Sequence, residues 1–141
     1  MTLNGLLKPP EFTTLFPYFF VDNADGFCRF LIHGLGFEET SRHLDGARIA
    51  NAQLRCSDMH VMVRDAREDF PAMAASYYLY VADADAAMAR AIAAGAQEIM
   101  AVSDMPYGDR QGGIRDAWGN IWWLSQRLTA GGYETGSVKQ T

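Results

Sequence analysis

The chain has 141 residues, 49% of them apolar, and a formal net charge of −5. That length suits one domain with a proper core, and the apolar fraction is ordinary for a soluble globular protein. The acidic balance, with bases scattered rather than clustered, argues against a nucleic-acid partner, and no apolar run approaches the roughly 18 residues of a membrane span.

The opening MTLNGLLKPPEF is too weakly charged and too weakly apolar for a signal peptide, so a cytoplasmic protein is expected. Cys28 and Cys56 form no CxxC pair and read as small buried side chains in a reduced compartment. His33, His43 and His60 have no partner at metal-motif spacing.

In chain order, residues 1–15 form a polar lead-in in which Pro9-Pro10 stops any helix. Phe16 to Val21 is a β-rich run. Asn23 is a good N-cap, and Phe27, Phe30, Leu31 and Leu35 recur at helical spacing, predicting an amphipathic helix over 24–34 that Gly34 and Gly36 end. Strands follow at 38–42, 48–55 and 60–64, with turns at Asp45-Gly46 and Cys56-Ser57-Asp58. Residues 65–75 read as a linker. The second half begins with SYYLYV at 76–81. Asp83 then caps an Ala-rich helix over 84–94, with Met88, Ala91 and Ile92 on its buried side and Gly95 at its end. A strand at 98–102, a loop over 103–113 and a hairpin follow, the hairpin pairing Ile114-Arg115-Asp116 with Ile121-Trp122-Trp123-Leu124.

The halves superpose as sequence: Val21 matches Val81, Asn23 matches Asp83, Ile32 matches Ile92, and Gly36 matches Gly95 after one gap. The order is therefore βαβββ twice, and a duplication of this size is a strong fold signal. The expected class is α+β, with a first module over 16–64, the linker at 65–75, a second module over 76–128 and a tail over 129–141, one domain in all.

Four segments carry a family likeness: Tyr107-Gly108-Asp109-Arg110, Asp116-Ala117-Trp118-Gly119-Asn120-Ile121-Trp122, Val81-Ala82-Asp83-Ala84-Asp85 and Ala94-Gly95-Ala96. With the duplication, the chain from about Phe16 to Leu128 resembles the glyoxalase/bleomycin-resistance/extradiol-dioxygenase superfamily, also called vicinal oxygen chelate, in its glyoxalase-like bacterial branch. The resemblance implies two tandem modules whose sheets form a shared cup with the helices outside. It also implies either a divalent metal in that cup, as in enzymatic members, or a metal-free cup that sequesters a drug. The implied ligand positions fall on Phe16, Met62, Ser76 and Trp123. Phe16 and Trp123 have no ligand atom, and a thioether or a hydroxyl is a poor ligand in an N/O site. The branch often has His-Ala-Glu-Leu on its third strand and a His in the closing turn. This chain has Asn51-Ala52-Gln53-Leu54 and Asn120 there, which keep hydrogen-bonding capacity without charge.

Strand alternation then predicts the cup lining. Tyr18 and Phe20 follow from Phe16, Tyr78 and Tyr80 from Ser76, His60 from Met62, and Ile121 from Trp123. Asn51, Gln53 and Arg55 share the inward face, while Phe19, Val21, Leu79, Val61, Val63, Trp122 and Leu124 pack under the helices. Each assignment has a plainer reading. The aromatics could fill a closed core, His60 could be a hydrogen-bonded strand histidine, and Arg55 could pair with an acid. Asp109, Arg110, Arg115 and Asp116 read as bracing the hairpin by ion pairs, and the methionines as gap-fillers.

Three functions fit these residues. The first is a metal-free protein, with no cofactor, whose aromatic cup encloses an apolar or aromatic small molecule, laid against Trp123 and oriented by Asn51 and Gln53. The alternative is a divalent-metal lyase, isomerase or dioxygenase drawing ligands from His60 or His43 with Glu38 or Glu39. The third is a ligand-free interaction module. Members of the family are often homodimers, and Trp118 and Phe70 are candidate surface aromatics, so a homodimer is expected.

Overall fold

The computed structural model describes residues 5–134, so parts of the lead-in (1–4) and of the tail (135–141) lie outside the described residues. The chain divides into two compact units, the division falling between Ala74 and Ala75.

The first unit carries β1 (Tyr18–Val21), α1 (Ala24–Leu35), β2 (Glu38–Asp45), β3 (Arg48–Cys56) and β4 (Met59–Asp65). The strand order is β1-β4-β3-β2, with β1 parallel to β4 and the other pairs antiparallel. The second unit carries β5 (Ser76–Tyr80), α2 (Ala84–Ala93), β6 (Gln97–Asp104), β7 (Asp109–Arg115) and β8 (Ile121–Arg127) in the order β5-β8-β7-β6, with β5 parallel to β8. Each unit is therefore a βαβββ module, and the fold is α+β, two tandem modules as the duplicated sequence predicts.

The helices begin and end where side-chain chemistry sets them. Asn23, in a left-handed conformation at φ 57, accepts the Gly26 N–H on its side chain, and Asp83 accepts that of Ala86. Gly36, at φ 82, closes α1. Gly34, read from the sequence as a terminator, lies inside α1 and is buried. The two modules also share one tie from the sheet to the helix start. The Ala24 N–H donates to Asp65 Oδ1 at 2.9 Å, and the Ala84 N–H donates to Gln126 Oε1 at 3.0 Å. In both, the last strand supplies the acceptor for an orphan amide of the first helical turn.

In each module one sheet face packs on the helix. Phe19, Val21, Ala52, Leu54, Val61 and Val63 bury against α1, whose Phe27, Cys28 and Leu31 are fully buried. Trp122, Leu124 and Ile114 do the same beside Met88 and Ala91 of α2. Ile92 is a correction: it is 44% exposed rather than packed. The buried stripe of the shorter α2 runs through Ala84, Met88 and Ala91, and position 92 turns off it.

The larger correction concerns residues 103–113, read from the sequence as a loop. Asp109–Arg115 is a central strand, hydrogen-bonded to β6 and β8. Gly112 and Gly113 suit it because neighbouring side chains occupy the space. A Cβ at Gly112 would stand 2.6 Å from Met88 Cε and 2.7 Å from Val102 Cγ2, and one at Gly113 would stand 2.8 Å from Trp123 Cζ3. The glycines mark close packing across the sheet, not a flexible loop.

The β7–β8 turn is also built differently from the expected ion-pair brace. Asp116, 4% exposed, accepts four hydrogen bonds within the turn. The backbone N–H groups of Trp118 and Asn120 donate to Oδ1, both at 2.9 Å. Asn120 Nδ2 and Trp122 Nε1 donate to Oδ2 at 3.0 and 2.9 Å. Asn120 Oδ1 in turn accepts the Ala75 N–H at 3.1 Å, which ties the turn to the entry of β5. Arg110 does brace by ion pairs, to Asp85 at 2.7 Å and Asp104 at 2.9 Å.

Candidate functional site

The sheet faces turned away from the helices carry the sequence-derived site residues. On the first sheet, Tyr18 pairs in register with Met62, and Met62 with Gln53. Asn51 Nδ2 reaches both the Tyr18 hydroxyl and Met62 Sδ at 3.5 Å, and Gln53 Nε2 donates to Asn51 Oδ1 at 3.3 Å. Tyr18, Asn51, Gln53 and Met62 thus form one patch, half-buried except for the exposed Tyr18. Phe20 extends it, 5.0 Å from the Tyr18 ring and 5.9 Å from Phe70.

Two residues of that face stand apart from the patch. Arg55 is drawn to the sheet edge by Glu38, at 2.6 Å. His60 lies beneath the lead-in: its Nδ1 is 3.0 Å from the Glu11 carbonyl, and its ring is 4.9 Å from that of Phe12, which is 5% exposed. Phe12 also stacks on Phe16 at 4.8 Å. The lead-in is therefore part of the fold at this end of the sheet, because Phe12 buries its ring there.

On the second sheet, the parallel register sets Ser76 beside Ile121 and Tyr78 beside Trp123. Trp123 and Trp122 point to opposite faces, as alternation requires. Trp122 is 3% exposed, whereas Trp123 is half-buried and lies across Gly113. The Trp123 Nε1–H donates to Ser76 Oγ at 2.9 Å, which fixes the ring plane. Tyr78 and Tyr80 stand next to it with their rings 5.4 Å apart, both about half exposed. Ile121, half-buried, completes the row.

The same face holds a polar hub. Asp109 is fully buried. Its Oδ2 accepts the hydroxyls of Tyr78 at 2.5 Å and Tyr133 at 2.7 Å, and its Oδ1 takes Arg127 Nη1 at 2.9 Å. The Tyr80 and Tyr133 hydroxyls also meet. Burial, and then the hydrogen bond to Asp109, push the Tyr78 hydroxyl well above the usual tyrosine range. Beside the hub, Gln111 donates to Ser125 Oγ at 2.7 Å and accepts the Tyr107 hydroxyl at 2.5 Å. A pocket of about 560 Å³ opens here, lined by residues that include Tyr107, Arg127, Tyr133 and Glu134. From the sequence alone Asp109 reads as a brace, and nothing there marks Gln111, Ser125, Arg127 or Tyr133 as its neighbours. The signal was the continued alternation Trp123-Ser125-Arg127 opposite Asp109-Gln111-Gly113, which appears once 109–113 is read as strand. A second, polar pocket of about 290 Å³ lies in the first module among Asp45, Arg48, Arg64, Asp65 and Arg67.

The positions where the family resemblance would put metal ligands do not fit a divalent ion. The Ser76 hydroxyl is taken by Trp123, Met62 Sδ faces the Asn51 amide, and Phe16 and Trp123 offer no ligand atom. Among the described residues, no three His, Cys, Asp or Glu side chains gather closely enough to hold a metal ion. Nor is any helix among them long and apolar enough to cross a membrane.

The comparisons with known proteins agree with the two-module fold. The model of the Glyoxalase/Bleomycin resistance protein/Dioxygenase superfamily matches residues 13–124. An uncharacterized protein of Mycobacterium bovis is 31% identical over 128 residues, 79% of this chain and 82% of its own. Among solved structures, TioX from Micromonospora sp. ML1 superposes with a TM-score of 0.67 at 25% identity, over 81% of this chain and 99% of that one. TnmS3, described as an antibiotic binding protein from a Streptomyces species, superposes at 0.63 and 21% identity, over 82% and 97%. With two βαβββ modules, a family match over most of its length and these relatives, the chain belongs to the Glyoxalase/Bleomycin resistance protein/Dioxygenase superfamily.

Proposed function

We propose that this protein binds a planar, partly apolar small molecule without a metal, and that Trp123 is its anchor. The observation that carries the reading is the Trp123 indole held flat over Gly113 by the Ser76 hydroxyl, with Tyr78 in register beside it. A half-buried indole fixed in plane offers stacking area at little further entropic cost. The Tyr18–Asn51–Gln53–Met62 patch of the first module offers a second surface of the same kind, with amides that can read a carbonyl or an amide. The unsuitable donor set at Phe16, Met62, Ser76 and Trp123 favours binding over metal-assisted lyase or dioxygenase chemistry. The antibiotic-binding description of TnmS3 gives the reading a precedent in the same fold.

The test is a thermal-shift screen of planar metabolites and antibiotics, followed by calorimetric titration of any hit against wild type and Trp123→Ala. Stabilisation that disappears in Trp123→Ala is expected. Hits that bind Trp123→Ala unchanged, or binding that requires added transition metal, would overturn the reading.

A further inference from the structure

The segment after β8 turns back onto its own sheet and delivers one phenol to the Asp109 hub. Arg127 holds that segment by donating to the Gly131 carbonyl at 3.3 Å and to the Gly132 carbonyl at 2.8 Å, and its guanidinium lies 4.4 Å from the centroid of the Tyr133 ring. The Tyr133 hydroxyl donates to the buried Asp109. Tyr133 is nonetheless 48% exposed, with its hydroxyl also meeting that of Tyr80 and its ring 6.4 Å from that of Tyr107. Gly131, at φ 107, and Gly132 precede it, and a Cβ at either would meet no atom within 4 Å. Two glycines before Tyr133 put few steric limits on the backbone that positions it.

We propose that the Asp109 hub is a binding site for hydroxyaryl ligands and that Tyr133 is its built-in occupant, which such a ligand displaces. The inference rests on the small-molecule-binding reading above and names its ligand class. The seat is complete for a phenol: a buried carboxylate oxygen accepts the hydroxyl, a guanidinium covers one ring face, and Tyr107 presents a ring 6.4 Å away at a steep angle. When Tyr133 leaves, Asp109 keeps Tyr78 on Oδ2 and Arg127 on Oδ1, so no buried charge is stranded. The seat prefers a neutral phenol to an arylammonium, because Arg127 already balances the buried Asp109 charge and a second cation would leave the hub with an uncompensated positive charge.

An occupant of the chain's own weakens every competitor by the fraction of time the seat is free, about tenfold if it is filled nine-tenths of the time. Calorimetry with p-cresol, the free tyrosine side chain, tests this on the full chain. Tyr133→Ala should bind p-cresol about tenfold more tightly than wild type, and should prefer it to toluene, which lacks the hydroxyl, and to benzylammonium. Tyr133→Phe, which keeps the ring and loses only the hydroxyl, should fall between. Equal affinity of wild type and Tyr133→Ala for p-cresol, equal affinity for p-cresol and toluene, or preference for benzylammonium would each overturn the proposal. A p-cresol gain that persists in Tyr133→Ala/Trp123→Ala supports the seat even if the Trp123 reading fails. Loss of the gain with Trp123-dependent binding of other planar ligands intact would sink the seat alone.

Discussion

Trp123 and Gly113 are cross-strand partners in which one residue exists to make room for the other. They pair in register between β8 and β7, and a Cβ at Gly113 would lie 2.8 Å from Cζ3 and 3.1 Å from Cε3 of the indole. The Ile99 side chain, 3.2 Å from the same point, blocks retreat on the other side. Gly113→Ala should therefore lift the indole off the strand, at a cost of about 1–3 kcal/mol for overpacking. Denaturant melts would read the cost, and a shifted Trp emission would report the displaced ring. Unchanged stability and emission would show that the ring is not seated there.

Trp122 and Trp123 should respond oppositely to truncation. Trp122 is 3% exposed, and its Nε1–H donates to Asp116. Trp122→Ala should cost about 3–5 kcal/mol, as for large core aromatics. Trp123→Ala should cost less stability but weaken ligand binding by about 1–3 kcal/mol, the loss of one aromatic anchor. Paired melts and titrations decide. If Trp123→Ala unfolds the protein as badly and leaves affinity unchanged, Trp123 is core.

Asp116 is the keystone of the β7–β8 turn. Its carboxylate accepts from Asn120 and Trp122 side chains that are themselves buried. Asp116→Ala leaves those donors unsatisfied at about 1–3 kcal/mol each. Asp116→Asn, which retains an acceptor, should be milder. The contrast between the two in urea melts is the measurement, and equal small effects would deny the turn this role.

Cys28 links stability to alkaline pH. Burial pushes its thiol from the ordinary 9.0 up to about 12. Between those values the unfolded chain ionises while the folded one does not, so the unfolded state gains. The stability associated with a neutral Cys28 is thus complete below about pH 9 and lost as pH rises towards 12. Urea midpoints under reducing conditions should fall across that range more steeply for wild type than for Cys28→Ala. Native protein at neutral pH should alkylate Cys28 only on unfolding, as mass spectrometry can show.

A homodimer is the expected assembly, with the 47% exposed Phe70 and the half-buried Trp118 as candidate contact residues. Light scattering should return twice the 15.6 kDa chain mass. A monomer mass at high concentration would contradict it.

The sequence by itself determined the duplicated βαβββ order, the N-caps of both helices and the alternating faces of β1, β3, β4, β5 and the start of β8. These depend on local chemistry: Asn23 and Asp83 cap helices whose first turns follow immediately, and period-two alternation separates Trp122 from Trp123 without reference to any other strand. Tertiary structure decided the rest. Residues 109–113 are a strand because β6 and β8 supply hydrogen bonds on both sides, and their glycines fit because Met88 and Trp123 fill the space. His60 is covered by a lead-in 49 positions away, and Tyr78 meets an aspartate 31 positions away. A hydrogen bond between residues so distant in sequence leaves no periodicity or spacing to read, so a buried hub such as Asp109 becomes visible only when the strands that carry its partners are paired.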